Sequence, residues 1–562
     1  MPGSHGYGKK GVKESTMSTL EILIPFIGGL GMFIYGMQTM AQGLENAAGD
    51  RMRSLLEVLT KNKLMGVLLG AAITAVIQSS SATTVMVVGF VNAGIMNLTQ
   101  AMGVIMGANI GTTVTGWLVS SSEWAKFLSP NMLAPLAIMA GVLIMMTGKR
   151  YQTRETAKIV FGFGLLFVGI STMSGAVAPL KENEAFVSLF VTLGRSPLLG
   201  IAAGTIVTAI IQSSSASVGI LQSLAAAGLV PFNAAVYIIM GQNIGTCVTA
   251  MLSGLGANRN AKTAGLMHLL FNIIGTAIFS TAAILYLTVA APAWALEAIS
   301  QTQIGLIHTL FNIGTTVLLF PVSGWIIVLA KKLSRVDKEE AAQPAALLDP
   351  RMLEAPAVAL QALTRELVSM GALVEETLTL ASAVLVKPDR DKIEQVHQME
   401  QTADEKTQAI TDYAVQLSAL EISPQEHRRC LHILQIVSDM ERISDQCENI
   451  AEGASQLLAA RTAFSQPGQE ELAQMAKVCT DCYICALDAF VNNDAESLTR
   501  AIEKEIQADQ LEGSFRTANL NRLTKQICNA QVGILFQDAL VSLERISDHS
   551  RNIAEEAAVN PL

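Results

Sequence analysis

Between Leu64 and Ser122 the chain has no Asp, Glu, Lys or Arg in 59 residues, and between Ser196 and Asn258 it has none in 63. Stretches this long without charge exclude solvated surface helices, which need a polar face. Each is also too long for one membrane helix of about 20 residues. Basic excess is missing as well: the net charge is −9, which excludes the positive surface that nucleic acid requires. Cysteine is scarce, seven in all with six in the second half, and shows no paired framework, so a disulfide-stapled secreted protein is excluded and a reducing compartment fits. No phosphate-gripping glycine loop and no nucleophile–base set is present, which leaves little support for an enzyme. No cleavable leader is expected before the first apolar segment. The polar residues 1–16 are expected to be an appended leader, with the natural start near Met17.

What is present is hydrophobic: 51% of the residues are apolar and the mean hydropathy is +0.41, values typical of a membrane protein. The apolar residues crowd before about residue 330 and charge becomes frequent after it. We therefore expect a membrane domain over 17–335, a linker over 336–350 rich in charge, Pro and Ala, and a helical domain over 351–562.

Both charge-free stretches are interrupted early by the same tetrad, QSSS at 78–81 and at 212–215, then by Gly, Asn or Pro. A re-entrant hairpin of two short helices is expected at about 64–96 and another at about 197–229. Full spans are expected near 20–46, 99–119, 127–147, 156–179, 232–254, 263–290 and 302–330. With that count, one side of the membrane receives thirteen Lys and Arg before the linker begins, and the other receives Lys126, Lys181 and Arg195, plus three lysines of the 1–16 leader. The positive-inside rule puts the richer side, and the C-terminal domain with it, in the cytoplasm.

Residues 78–118 align with 212–252 without a gap and share 18 of 41 positions, including QSSSA, IMG and NIGT. The similarity extends upstream, giving repeats of about 20–147 and 156–254. Each repeat crosses the membrane three times, an odd number, so the second copy must be inverted and the two QSSS tips can meet near the midplane. Inverted repeats with broken helices around a midplane site are transporter architecture.

The polar groups available there are Gln78, Ser79, Ser80, Ser81, Thr83, Asn109 and Thr112, with Gln212, Ser213, Ser214, Ser215, Asn243 and Thr246 in the second copy. Hydroxyls, amides and half-helix N-termini can hold an anion. With no Lys or Arg near either tip, the countercharge must arrive with the anion, because burying an uncompensated ion is prohibitive. The residues by themselves point to a small anion moving with monovalent cations.

The paired QSSS and NIGT motifs, with the later HLLFN and HTLFN, resemble the type II sodium/phosphate cotransporters over about 20–330. The resemblance implies sodium-coupled transport of inorganic phosphate across a bacterial cytoplasmic (inner) membrane, with the residues named above in the phosphate and sodium site. Export with sodium, and a membrane phosphate sensor without transport, are the alternative readings. His268 and His308, which recur in HLLFN and HTLFN, are expected to hydrogen-bond within packed helices, with proton coupling as the sharper reading.

From 351 to 558 the pattern is helical, with breaks near 387–389, 423–424, 466–468 and 497, and six helices in two three-helix bundles are expected. Glu-x-x-x-Asp occurs at Glu400/Asp404, Glu441/Asp445, Glu505/Asp509 and Glu544/Asp548, and spacing of four places each pair on one helix face. ERISDQCENIAE at 441–452 recurs as ERISDHSRNIAE at 544–555. The duplicated pairs resemble PhoU, a regulator associated with phosphate uptake. That resemblance implies iron or another divalent metal held by those eight carboxylates, and a solvated acidic face is the plainer reading. CTDCYIC, with Cys479, Cys482 and Cys485, is expected to be core. The expected fold is therefore all-α: a polytopic membrane domain of inverted repeats with two re-entrant hairpins, followed by a cytoplasmic six-helix domain. Expected partners are phosphate, sodium and membrane lipid, with a homodimer admitted and nucleic acid excluded.

Overall fold

The computed structural model describes residues 19–57, 62–124, 130–255, 257–334, 348–354, 356–420, 422–492 and 494–559. The 1–16 leader and most of the 336–350 linker lie outside the described residues. The chain divides into two compact units, Met1–Pro344 and Ala345–Leu562. Among the described residues the regular structure is helical, apart from one isolated bridge between Pro231 and Ala298.

The first unit contains α1 (Thr19–Glu57), α2 (Lys63–Ile77), α3 (Ser80–Asn92), α4 (Leu98–Gly111), α5 (Thr113–Trp124), α6 (Pro130–Thr147) and α7 (Tyr151–Val177). It continues with α8 (Glu184–Arg195), α9 (Pro197–Ile211), α10 (Ser214–Ala226), α11 (Phe232–Ser253), α12 (Arg259–Val289), α13 (Gln301–Leu319) and α14 (Ser323–Leu333). The expected hairpins are α2–α3 and α9–α10.

The repeats run in opposite directions. α1 and α7 occupy equivalent places in the two copies and pack antiparallel. A Cβ on Gly29 would lie 2.8 Å from the Gly169 carbonyl, and one on Gly36 would lie 2.7 Å from the Gly162 carbonyl. Small residues permit this backbone approach, which is how helices associate where lipid removes the hydrophobic drive between them. Within each repeat the first hairpin helix packs against the following span in the same register. Gly107 sits on the Val67 carbonyl and Gly241 on the Ile201 carbonyl, where an added Cβ would lie 2.1 and 2.0 Å away.

Three elements depart from the sequence reading. The span expected at 302–330 is α13 and α14, broken at 320–322 around Pro321, which has no N–H to continue the helix. The Lys63 ammonium donates to the Phe320 carbonyl and to the Ser323 hydroxyl at this break. The span expected at 99–119 is interrupted at Thr112, whereas α11, its counterpart, runs unbroken through Thr246. α8 lies where the sequence reading assigned no element; its start is capped by Asn183, which accepts from the Phe186 N–H at 3.1 Å, and it meets α9 at 111°.

The second unit contains α15 (Pro356–Val386), α16 (Arg390–Ser418), α17 (Pro424–Ala459), α18 (Gln466–Asn492), α19 (Ala495–Thr524) and α20 (Ala530–Val559). The fifth break, at 525–529, carries no Pro or Gly; Gln526 turns the chain with φ of 55° and Asn529 accepts from the Val532 N–H at 2.8 Å. Among the described residues seven helices are long and apolar enough to cross a membrane, and α15 is one of them. Its apolar residues, among them Leu363, Leu367, Met370, Val374 and Leu378, are wholly buried, and it packs on α16, α17 and α18. α15 is the core helix of this unit, which explains its hydropathy. Cys479 and Cys482 are buried in the same core and donate to different backbone carbonyls, of Leu543 at 3.1 Å and Ala501 at 3.3 Å.

Candidate functional site

Each QSSS tetrad is the junction of two half-helices, and its four side chains do different things. Gln78 and Gln212 end α2 and α9 in the left-handed region, with φ/ψ of 55°/21° and 56°/22°. A non-glycine residue there costs about 1–2 kcal/mol, and both copies accept it. The first serines, Ser79 and Ser213, are N-caps: their hydroxyls accept from the Ala82 N–H at 3.1 Å and the Ala216 N–H at 3.2 Å. Removing such a cap typically costs about 1 kcal/mol. Each tip therefore brings together the carbonyl end of one half-helix and the N–H end of the next, a negative and a positive dipole end side by side.

The second and third serines join the tips to one another. The hydroxyls of Ser80 and Ser214 lie 3.2 Å apart. Ser81 donates to the Gln212 carbonyl, and Ser215 donates to the Gln78 carbonyl, both at 3.5 Å. Reciprocal contacts of this kind are the mark of a twofold axis. Behind the tips the match continues: Thr74 donates to Thr83 at 2.9 Å and Thr208 to Ser217 at 2.7 Å.

The neighbours break the symmetry. Thr115 on α5 donates to the Gln78 side-chain carbonyl at 2.8 Å and lies 3.2 Å from the Ser215 hydroxyl, and Thr112 lies 3.3 Å from the Ser214 hydroxyl. The second-copy equivalents, Thr246 and Thr249, instead donate to carbonyls of their own helix, those of Gln242 and Thr246 at 2.9 Å. Gln78 is buried while Gln212 is exposed. The interruption at Thr112 is what frees the first-copy threonines to face the tips.

Asn109 and Asn243 are buried with the tips and each turns its NH2 onto the carbonyl one turn earlier, of Ile105 at 2.9 Å and Ile239 at 3.4 Å. Two further asparagines do the same and were missed as site residues. Asn272 donates to the His268 carbonyl at 3.0 Å and Asn312 to the His308 carbonyl at 2.9 Å. The signal was available: NIGT recurs a third time at 312–315, and Asn272 opens the related NIIGT. His268 and His308 are buried as expected for packing, but the expected hydrogen bonds are not made: neither ring nitrogen of His268, nor Nδ1 of His308, has a partner.

In the second unit, three of each four expected carboxylates converge. Glu400, Asp404 and Asp445 bring ligand atoms within 4.8 Å of one another, and Glu505, Asp509 and Asp548 do likewise. Glu441 and Glu544 stand outside these triads. Burial first, then Glu448, Asp404 and Asp445, push the Glu400 carboxyl up to about 7. Burial and Asp509 raise Asp548. Glu505 is 6% exposed, with Oε2 lacking any partner while Oε1 accepts from Arg551 at 3.1 Å. Crowded carboxylates with an orphaned oxygen fit a hard cation, which oxygen ligands suit. Where the first copy has Gln446 the second has His549, which meets Asp439 at 2.9 Å and ties α20 to α17.

The profile of the Na+/Pi-cotransporter family matches residues 32–175 and 181–338, and that of the PhoU domain matches 367–454 and 472–557. A Salmonella typhimurium protein named "Putative inorganic phosphate export protein YjbB" is 24% identical over 96% of this chain and 98% of its own length. The Bacillus subtilis protein YqeW is 30% identical over 54% of this chain and 95% of its own length. The rat sodium-dependent phosphate transport protein 2A is 25% identical over 34% of this chain and 31% of its own length.

Proposed function

We propose, from the premise that the chain belongs to the Na+/Pi-cotransporter family and is a multi-pass membrane protein with PhoU domains, that it moves inorganic phosphate with sodium across a bacterial cytoplasmic membrane. The observation that carries this reading is the meeting of two oppositely oriented QSSS tips across a twofold axis, Ser80 against Ser214 at 3.2 Å. In it, phosphate is held by the N–H ends of α3 and α10 and the serine hydroxyls. Sodium is held by the carbonyl ends of α2 and α9, including those of Gln78 and Gln212. Anion and cation each lower the cost of admitting the other in a region without side-chain charge. Alternating access follows from rocking one repeat against the other around the shared tips.

The C-terminal unit lies on the cytoplasmic side in this reading and restrains transport according to phosphate supply. Its triads Glu400/Asp404/Asp445 and Glu505/Asp509/Asp548 hold iron or another divalent cation. A second reading, net export, is favoured by the name of the matching Salmonella protein; the same machine run against the opposite gradients would perform it. Phosphate flux in proteoliposomes, with sodium gradients imposed in either direction, tests all of this. Flux that follows the sodium gradient is expected. Flux indifferent to sodium overturns the coupling, and phosphate binding without flux makes the protein a sensor.

A further inference from the structure

The tips do not account for a second layer of polar groups on α12 and α13. Asn272 and Asn312 are fully buried, and the Oδ1 atom of each has no hydrogen-bond partner. The hydroxyls of Thr315 and Thr316, one turn beyond Asn312, are likewise buried and unpartnered. A buried carbonyl left unpaired costs about 1–3 kcal/mol, and the chain accepts that cost at both copies of one motif. Each NH2 is fixed on the carbonyl of the preceding turn, so each Oδ1 is turned away from its own helix backbone.

An oxygen that only accepts is suited to a hard cation and unsuited to an anion. Charge is absent around it: from Thr263 to Leu296 and from Ala298 to Ala330 there is no Asp, Glu, Lys or Arg. A divalent ion would find no compensating carboxylate there, whereas a monovalent ion accompanied by an anion would. Both asparagines lie on helices that pack against the half-helices starting at the tips, α12 on α3 and α13 on α10. Asn272 also donates to the Cys247 sulfur at 3.3 Å, and Cys247 directly follows Thr246. Asn312 lies one turn from Thr309, whose hydroxyl accepts from the Trp117 indole at 2.8 Å; Trp117 is on α5, the helix that carries Thr115. α12 packs on α4 and α11, and α13 on α4, α5 and α11.

We propose that the Oδ1 atoms of Asn272 and Asn312 are ligands of the co-transported monovalent cations, one in each half of the site. This rests on the sodium-coupled reading above. The two positions are unequal. Thr315 and Thr316 offer free hydroxyls beside Asn312, whereas Thr276, one turn beyond Asn272, already donates to the Met240 carbonyl at 3.3 Å. Asn312 is the stronger ligand.

The test uses the full chain in proteoliposomes with Asn272→Leu and Asn312→Leu, close in size and without the carbonyl. The sodium concentration for half-maximal phosphate flux should rise about tenfold in Asn312→Leu, equal to about 1.4 kcal/mol of lost binding, and by less in Asn272→Leu. Phosphate half-saturation at saturating sodium should stay within about twofold of the parent, because only cation binding is weakened uniformly. Sodium-dependent protection against heating in detergent should shrink in parallel. Asn272→Asp and Asn312→Asp keep the acceptor and cover the case in which a Leu variant fails to insert; they should lower the sodium requirement. Variants that all keep the parent's sodium dependence, in a parent whose flux does require sodium, overturn the ligand assignment alone. A parent indifferent to sodium overturns the coupling reading and this inference with it.

Discussion

The two QSSS tips share sequence and backbone, down to the left-handed glutamine that ends each first half-helix, yet their side chains meet different surroundings. Gln78 is buried and held by Thr115; Gln212 is exposed. A duplicated sequence dictates a duplicated local conformation, because capping and φ/ψ preferences are local. It cannot dictate equal neighbours once one copy is interrupted at Thr112 and the other is not. The candidate site is symmetric in its frame and asymmetric in its contacts.

The most severe way to break the comparison is at the axis itself. Ser214→Leu places a large side chain against Ser80 and Thr112, where packing leaves no room. Flux measured by phosphate uptake into proteoliposomes should fall at least about a hundredfold, the equivalent of about 2.7 kcal/mol in rate, while insertion persists. Near-parental flux would mean that substrate does not pass between the tips.

A smaller effect separates the glutamines. Gln78→Ala removes the acceptor of the Thr115 hydroxyl and should destabilise the protein by about 1–3 kcal/mol. Gln212→Ala should leave stability within about 0.5 kcal/mol, as exposed substitutions do, while still impairing transport. Thermal unfolding of the two variants in detergent decides this; equal losses of stability would show that the two tips are interchangeable.

The smallest effect tests the analogous pair of clusters in the C-terminal unit. Glu400 titrates near 7 rather than 4.5 in the folded chain, so between those values the native state holds more protons than the unfolded one. In chelator, stability should therefore fall as pH rises through that window. Manganese or iron should remove the fall by occupying the triads. Glu400→Gln should reduce the pH response. A pH profile unaffected by metal and by Glu400→Gln would leave the triads as solvated acidic faces.

Much of this was legible in the chain. The hairpins α2–α3 and α9–α10 follow from polar tetrads in charge-free runs, and the inversion follows from an odd number of crossings. The break at Pro321 and the helix α8 were missed, although a proline and the capping Asn183 mark them. The break at 525–529 has no such mark, since an αL glutamine and an asparagine cap did the work that Pro or Gly usually signals. Asn272 and Asn312 were present as repeats of NIGT, but nothing local marks an asparagine oxygen as unpartnered.

The sequence alone determined the division into an apolar and a charged half, the repeat, its inversion and the identity of the polar groups at the tips, because composition, parity and periodicity are properties of the chain. Tertiary structure decided which serines meet across the axis, why α15 is a core helix, which three of each four carboxylates converge, and where buried oxygens go unpaired. Those depend on which atoms are brought together from positions distant in the chain, 134 residues apart for Ser80 and Ser214, and no local pattern encodes that.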